Sequence, residues 1–484
     1  MSISASLSNA LSGLTAVSRI AETVSSNIAN ASTKGYGPRE VVLASRSIDG
    51  RGAGVMVTGI LRHSDPFLLA DRRNADSQLA QISVKASFLS GIEEKIGYPD
   101  DPSSLTGRMS NLDAALIEAS SRPDSEARLQ SVLNAASALA THLNSASDTV
   151  QTERMRADQQ IANSVQTINE SLEQIAKLNA QIVRLDSSRQ GGSNLFDQRQ
   201  KLIDGIAELI PIRELPREKN AVALLTQGGT LLLDINPAEI GFTATGTIVP
   251  EMTLGGGSLS GLTINGKIVS TNPETGQIAG GRLAALFNLR DNEAPAVQAQ
   301  LDAVARDLVE RFESPAVDPT LTTGDPGLFT DDGFAFSVTD EIGLSGRIAI
   351  NARVDPGAGG EVWRLRDGIG AVSQAMVGDS TLLNNLADAL NSNRVALSGG
   401  FTLAQSALGL AGDLLSRISV ASYRAENEQA YTRSQSETLI GLELQNGVDT
   451  DAELQNLLRV EQSFAANARV ISTIDEMIQS ILRI

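Results

Sequence analysis

Apolar residues recur at alternating spacings of four and three at both ends of this chain. This is the spacing of a heptad seam, in which a narrow apolar stripe on one helix packs against another helix. A lone helix of this kind is marginal in water, so we predict that the two terminal helices pair as a coiled coil. The N-terminal seam consists of Ile3, Leu7, Ala10, Leu14, Val17, Ala21, Val24 and Ile28. The C-terminal seam consists of Leu457, Val460, Phe464, Asn467, Ile471, Ile474, Ile478 and Ile481.

The N-terminal helix, predicted over residues 2–30, has an unusual outer face. Away from the seam its residues are small and uncharged, and Arg19 is its first charged residue. A helix that faces water normally carries Glu and Lys at such positions. We therefore expect this helix to be surrounded by other protein chains once the protein has assembled into a larger structure. Asn467, the one polar residue of the C-terminal seam, has two interpretations: it sets the register of a coiled coil, or it faces a neighbour or water.

Between the two ends the pattern predicts helices with one β-rich insertion. Helical spacing predicts two helices over 108–145, another over 148–186 and a further one over 382–397. Asn265-Gly266 is a strong hairpin signal within a stretch rich in Gly, Thr, Val and Leu. The predicted fold class is therefore mainly α with an inserted β domain. Its domains are a terminal coiled-coil domain with a short hairpin (1–62 and 445–484), a helical bundle domain with short strands (63–211 and 281–444) and a small outer β domain (212–280).

Composition narrows the possible functions. The formal net charge of −18 argues against nucleic-acid binding, which requires a basic surface. The chain has no cysteine, which excludes disulfides and cysteine-bound metals. His63 and His142 each lack a second ligand at metal-binding spacing, so we interpret both as ordinary surface or packing residues. Since no catalytic or phosphate-binding motif is present either, we predict no enzyme activity, no catalytic or metal-binding residues and no cofactor.

The N-terminus lacks the pattern of a cleaved secretory signal. Its first eighteen residues carry no charged side chain, and Ser and Asn interrupt every apolar run. No stretch approaches the ~20 apolar residues of a membrane span. The sequence thus predicts a protein that is either cytoplasmic or exported by a route that leaves its ends intact.

Short motifs at the two ends resemble a known family. Asn27-Ile28-Ala29-Asn30-Ala31 followed by Gly35-Tyr36 resembles the N-terminal signature of flagellar rod, hook and hook-associated proteins. The run from Asn456 to Phe464, followed by Ala468-Arg469-Val470-Ile471, resembles their shared C-terminal end. The signature residues carried over are Asn27, Ile28, Ala29, Asn30, Gly35 and Tyr36.

The middle of the chain is similar to one branch of that family, hook-associated protein 1. The similar stretches are Leu283 to Asp291 with Gln300-Leu301-Asp302, Glu173 to Asn179 with Phe196-Asp197-Gln198-Arg199, and Asp325 to Thr330. The chain departs from the family pattern at Gly37-Pro38-Arg39, where Ser-Arg-Gln is usual. The resemblance therefore does not predict the conformation of the hairpin at this point. The segment 361–400 also departs from the family pattern, because it is compact.

The resemblance implies a structural subunit of the bacterial flagellum. It would join hook to filament, act in flagellum assembly and motility, and assemble through its terminal helices. It would be extracellular, leaving the cytoplasm by type III export without a cleaved signal peptide. The implied partners are copies of itself, the flagellar hook protein, a second hook-associated junction protein and a cytosolic export chaperone that binds the C-terminal region. Neither nucleic acid nor membrane insertion is expected.

Two other interpretations remain open at this point. The chain could be a hook or distal rod protein of the same axial family, with a different position in the flagellum. It could also be a non-flagellar coiled-coil adhesin, which would require the two seams to form long independent trimers.

Overall fold

The computed structural model describes residues 3–33, 35–48, 51–188 and 192–483, so residue 2 of the predicted first helix lies outside these ranges. The protein is mainly α-helical with short strands, which confirms the predicted fold class. The helices in these ranges are α1 (Ile3–Asn30), α2 (Pro66–Ile96), α3 (Leu105–Ser121), α4 (Glu126–Ser188), α5 (Ser193–Leu209), α6 (Gly281–Asn288), α7 (Ala294–Phe312), α8 (Leu344–Arg347), α9 (Arg364–Asp367), α10 (Thr381–Asn391), α11 (Ala407–Gln445) and α12 (Thr450–Leu482). The strands are β1 (Arg39–Ile48), β2 (Arg51–Arg62), β3 (Ile212–Pro216), β4 (Val222–Thr226), β5 (Leu231–Leu233), β6 (Ile240–Gly241), β7 (Thr263–Ile264), β8 (Lys267–Ile268), β9 (Phe329–Asp331), β10 (Ile348–Ile350), β11 (Arg394–Val395) and β12 (Ala404–Gln405).

The helices that frame the two ends begin at side-chain caps. The Asp65 carboxylate accepts hydrogen bonds from the amides of Phe67 and Leu68 at the start of α2. The Asp449 carboxylate does the same for Asp451 and Ala452 at the start of α12. These bonds satisfy amides that the first turn of a helix leaves without partners. The entry points of α2 and α12 are thus fixed by local sequence.

One long helix, α4, replaces the two helices predicted on either side of residues 145–148. It runs without interruption for 63 residues, a length of about 95 Å. The prediction of a break was wrong, because no Gly or Pro lies within α4. The buried stripe also continues through Ala146, Ser147 and Val150. The spine of the bundle is therefore a single element.

The helix predicted over 382–397 ends early, at Asn391, and is followed by β11. The buried guanidinium of Arg311 is the physical reason. It donates to the carbonyls of Ala389 and Ser392 at 2.5 and 2.7 Å, and to that of Gln405 at 3.0 Å. Arg311 binds carbonyls at the end of α10 and in β12 at the same time. This stabilises the end of the helix at Asn391 relative to a further turn of α10.

The segment 212–280 forms two small antiparallel sheets, ordered β3-β4-β5 and β6-β7-β8. The predicted hairpin is confirmed: Ile264 pairs with Lys267, and Asn265 and Gly266 adopt φ values of 51° and 75°. Buried residues of this segment, such as Leu224, Leu232, Leu262 and Ile278, belong to the same hydrophobic core as the helices. The core is thus continuous, and the division into three domains stays a prediction.

Two fully buried arginines hold this segment against α4. Arg154 donates to the carbonyls of Val249 and Met252 at 3.2 and 2.6 Å. Arg290 lies in a turn of π-helix between α6 and α7 and pairs with Asp158 at 2.7 Å, both side chains being 0% exposed. Arg290 also donates to the carbonyl of Ser260 at 3.0 Å. The insertion is therefore fastened by charged groups that water does not reach.

His142 gives the fold a pH dependence. Its Nε2 lies 3.2 Å from the carbonyl oxygen of Ile96, and burial lowers the pKa of His142 below its ordinary value. The imidazole of His142 therefore binds a proton more readily in the unfolded chain than in the folded chain. As a result, the free energy of unfolding should fall as the pH drops below the ordinary histidine pKa. Thermal melts between neutral and mildly acidic pH should show this decrease. His142→Gln should reduce it, and an unchanged slope in the variant would contradict the assignment.

Candidate assembly site: the paired terminal helices

The two ends of the chain pack against each other in the structure. We call α1, β1, β2 and α12 the arm, and the helices α2 to α11 the bundle. The chain passes from arm to bundle through residues 63–65 and returns through residues 446–449. The site is built from the seams of α1 and α12, the hairpin β1–β2 that covers α1, and the contacts at the hairpin base.

α12 carries one stripe of sheltered side chains. The buried or half-buried residues of this helix are Glu453, Leu457, Val460, Asn467, Ile471, Ile474 and Ile478. Ile474 is the most buried, at 6% exposure. The seam prediction also included Phe464 and Ile481, which are 50% and 59% exposed. The structure thus gathers six of the eight predicted positions on the sheltered stripe and leaves these two facing outward.

α1 is sheltered on two faces. All eight predicted seam residues, Ile3, Leu7, Ala10, Leu14, Val17, Ala21, Val24 and Ile28, are buried or half-buried. Ala16, Thr23 and Asn27 are buried as well, although they lie outside the seam. The hairpin accounts for part of this second face: the amide of Val55 donates to Oγ of Ser12 at 3.1 Å. Sequence periodicity alone did not indicate this packing.

Two contacts define the direction and register of the helix pair. Gly13 of α1 lies against Asn467 of α12, where a Cβ on the glycine would come within 2.9 Å of the Asn467 amide. Nδ2 of Asn27 donates to Oε1 of Glu453 at 2.6 Å. The residue number rises in α1 as it falls in α12, so the helices are antiparallel. The two contacts are also two heptads apart on each helix.

The structure places Asn467 inside the helix pair. Its side chain is half-buried and donates to the carbonyl of Ser463 in its own helix at 3.0 Å. The space for it is the missing side chain of Gly13. A slip by one heptad would bring Asn467 opposite Ser6 or Ile20 instead. The geometry favours the interpretation that Asn467 sets register, and this role stays a prediction.

Gly13→Ala should weaken the helix pair, because the new methyl group would meet the Asn467 amide at 2.9 Å. Asn467→Ala in the same chain removes that amide and should restore most of the loss, giving a positive coupling in a double-mutant cycle. The measurement is amide hydrogen exchange in α1. Gly91→Ala is the matched control, since a Cβ there meets nothing within 4 Å. Equal effects of Gly13→Ala with and without Asn467 would contradict the contact.

Asn27 is the centre of the predicted signature. It is 0% exposed, and its Nδ2 donates to the Arg39 carbonyl at 2.8 Å as well as to Glu453. Its Oδ1 accepts from the Tyr36 hydroxyl at 2.8 Å and from the Arg39 amide at 3.1 Å. One side chain thus connects α1, the turn after it, β1 and α12. A buried amide with all these partners has a clear structural reason to be an asparagine.

The other signature residues shape the same turn. Nδ2 of Asn30 donates to the Ser26 carbonyl at 2.9 Å, and Gly35 adopts a φ of +80°. Ile28 is half-buried on the seam, whereas Ala29 is exposed. Gly35 is the position at which the backbone itself requires glycine.

Asp197 on α5 joins the arm to the bundle. It is 8% exposed and pairs with Arg39 at 2.5 Å and with Arg62 at 2.7 Å. Sequence reasoning noted Asp197 for its resemblance to a family motif and assigned it no role. More than 130 residues separate Asp197 from each arginine, so no local spacing could have indicated the contact.

Large apolar side chains remain exposed on the arm. Apolar side chains that are exposed in contiguous groups mark interaction sites in soluble proteins, whereas single ones are common on any surface. The arm residues concerned, each between 38% and 80% exposed, are Leu11, Val42, Leu43, Met56, Ile60, Leu61, Leu454, Leu458, Phe464, Val470, Met477, Ile481 and Leu482. The helix pair therefore shelters one stripe on each helix and leaves these other apolar side chains of the arm exposed.

The residues that the structure describes include no group of three or more His, Asp or Glu side chains placed to hold a metal ion. His63 lies beside Glu40, at 3.1 Å, and His142 lies in the bundle. In the same ranges no helix combines the length and apolarity needed to span a bilayer.

Family models match three parts of the chain. The model of the flagellar hook-associated protein FlgK helical domain matches residues 90–327. The flagella basal body rod protein model matches residues 7–36, which lie in α1 and the signature turn. The model of the flagellar basal body rod FlgEFG protein C-terminal matches residues 445–484, which include α12. The matched ends coincide with the arm helices.

Curated relatives that align with this chain carry the name flagellar hook-associated protein 1. Flagellar hook-associated protein 1 of Escherichia coli strain K12 is 25% identical over 100% of both chains. The protein of that name from Bacillus subtilis strain 168 is 22% identical over 98% of this chain and 97% of its own. That of Salmonella typhimurium is 28% identical, over 54% of this chain and 51% of the relative, so this alignment spans about half of the relative's length. The flagellar hook junction protein FlgK from Burkholderia pseudomallei aligns with a TM-score of 0.45 and 20% identity, over 54% of this chain and 46% of that one. The family models match the centre and both ends of the chain, and two of the relatives align along nearly its whole length, so this chain is similar to the flagellar hook-associated protein 1 family throughout.

Proposed function

We propose that this protein is a structural subunit of the bacterial flagellum that joins the hook to the filament, and that it assembles through α1 and α12. The observation that carries the proposal is the antiparallel helix pair, whose shared seam is largely sheltered while Leu11 of α1 and several large apolar residues of α12 face outward. Neighbouring copies would cover these outward faces in a polymer. Its task is mechanical and not catalytic.

The proposal includes partners on both sides of the junction. They are further copies of this chain, the flagellar hook protein and a second hook-associated junction protein toward the filament. Before assembly a cytosolic export chaperone binds the C-terminal region, and the chain leaves the cell by type III export with its ends intact. The exposed apolar residues of α12 support the need for a chaperone, since such surface promotes aggregation in solution.

Localisation on purified hook-basal bodies tests the proposed position. Antibody labelling should mark a thin zone at the distal tip of the hook. Labelling along the whole hook or within the rod would support the hook or distal rod protein instead and overturn the junction assignment. Stable trimers of the full-length protein, captured by crosslinking in dilute solution, would favour the coiled-coil adhesin.

A truncation tests the role of α1. Deletion of residues 1–30 should leave a folded bundle, because the hydrophobic core cluster of the described residues begins at Ile82 and does not include α1. The truncated protein should fail to restore filament growth to a strain that lacks the gene. Restored growth would overturn assembly through the terminal helices. Circular dichroism of the purified truncation provides the control for folding.

A further inference from the structure

The arm meets the bundle over a polar surface at the base of the hairpin. Within the described residues, the hydrogen bonds and ion pairs between arm and bundle converge on α5, at Asp197 and Gln200. The two covalent crossings, residues 63–65 and 446–449, are short. At a junction of this kind relative motion is the default unless specific contacts prevent it. The orientation of the arm relative to the bundle therefore depends on its contacts with α5.

Asp197 makes the central contacts. Its Oδ2 accepts from Nη2 of Arg39 at 2.5 Å, and its Oδ1 accepts from Nε of Arg62 at 2.7 Å. The amide of Gly37 lies 3.4 Å from the same Oδ1. One carboxylate thus binds the first residue of β1, the last residue of β2 and the turn that precedes them.

The turn is shaped to admit the Arg62 guanidinium. Gly37 has no side chain, and a Cβ at this position would lie 2.6 Å from Nε of Arg62. Arg39 also stacks over the Tyr36 ring, with its Cζ 4.8 Å from the ring centroid. Gly37 and Arg39 are two of the positions at which the sequence departs from the family pattern. The contact thus includes two residues that depart from the usual family pattern.

The two arginines have few alternatives to Asp197. Nε of Arg39 is buried without a hydrogen-bond partner among the described residues. Nη2 of Arg62 reaches the neutral Gln200 and, at 3.4 Å, the carbonyl of Gly35. Removing the carboxylate would leave two guanidinium groups close together with no negative charge between them. Such an uncompensated pair is unfavourable and would drive the hairpin away from α5.

We propose that Asp197 is a positioning residue that sets the angle between the arm and the bundle. It fixes both ends of the hairpin to α5, and the hairpin in turn lies against α1. The outward apolar faces of the arm are thereby presented in one direction relative to the bundle. The use of that direction at the hook–filament junction rests on the proposed function, whereas the angle is a property of the isolated protein.

Pulsed EPR on the full-length protein tests the proposal. Because the chain has no cysteine, Ser45→Cys on β1 and Gln78→Cys on α2 give two unique, exposed labelling sites. The parent protein should give one narrow distance distribution between the spin labels. Asp197→Asn should broaden that distribution by about twofold or more, and Asp197→Glu, which keeps the charge, should stay closer to the parent.

A matched control and a second variant keep the test decisive. Glu208→Gln removes another carboxylate of α5, one that faces Arg282 at 3.6 Å, and should leave the distribution unchanged. If Asp197→Asn lowers the unfolding midpoint of the bundle, the double variant Arg39→Gln/Arg62→Gln removes the same ion pairs from the arm and should broaden the distribution equally. A parent-like distribution in a folded Asp197→Asn protein, or in this double variant, would overturn the proposal. Labelling of hook-basal bodies tests the proposed function separately.

Discussion

Ile474→Asp is expected to separate α1 from α12 and to stop filament growth in a strain that depends on this chain. Ile474 is the most buried residue of α12, at 6% exposure. Its burial contributes roughly 1.5–3 kcal/mol, and placing a carboxylate in the seam adds the cost of removing that charge from water. A pair of helices with one narrow seam has little stability in reserve, so this change should melt the pair.

Two measurements on the same variant distinguish the arm from the bundle. Amide hydrogen exchange should become fast in α1 and α12, while the thermal midpoint of the bundle should hardly change, because Ile474 lies outside its core cluster. Ser472→Asp places the same charge two residues away on the exposed side of α12 and should leave exchange in α1 slow. Normal filaments from the Ile474→Asp protein would show that the helix pair is not needed for assembly.

Arg290→Met is expected to lower the free energy of unfolding by about 3–5 kcal/mol, the usual cost of leaving one member of a buried ion pair alone. Burial on its own lowers the pKa of Arg290, but Asp291 and Asp158 together raise it above its ordinary value, so the guanidinium is charged. Its removal leaves Asp158, which is 0% exposed, without its cation and frees the Ser260 carbonyl. The insertion should loosen from α4 as a result.

Denaturant unfolding followed by circular dichroism checks this value. Arg156→Met is the matched control, because Arg156 is 65% exposed and pairs with Glu153 on the surface of the same helix that carries Asp158. Such exposed pairs contribute only about 0–1 kcal/mol. Adding Asp158→Asn to Arg290→Met should recover part of the loss, since the buried charge is then gone. Equal effects of the Arg290 and Arg156 variants would rule out a special role for the buried pair.

Local sequence was sufficient wherever the structure depends on neighbouring residues. The 3–4 spacing of apolar residues identified both terminal helices and their common stripe, because side chains three and four apart share one face of a helix. Asp449 caps α12 through amides of that helix's own first turn, so this helix start depends only on neighbouring residues. Asn265-Gly266 predicted a hairpin because both residues tolerate positive φ.

Local sequence failed where distant residues compete with local preference. The end of α10 follows from Arg311, which is about eighty residues away and binds its last carbonyls. Ser147, at the predicted break in α4, is buried against Gln298 of α7, a contact that the local sequence did not indicate. Phe464 fits the seam by spacing, yet it is 50% exposed.

The two terminal helices show most clearly what the sequence determines and what only the tertiary structure determines. Sequence alone determined that each end is a helix with one apolar stripe, that each stripe needs a partner, and which family the end motifs resemble. Those properties lie in periodicity and short motifs, which are read along the chain. Only the tertiary structure decided that the pair is antiparallel, that Gly13 makes room for Asn467, and that Asp197 holds the arm to the bundle. These contacts join residues more than a hundred positions apart, and their energies depend on burial and exact geometry that no local pattern encodes.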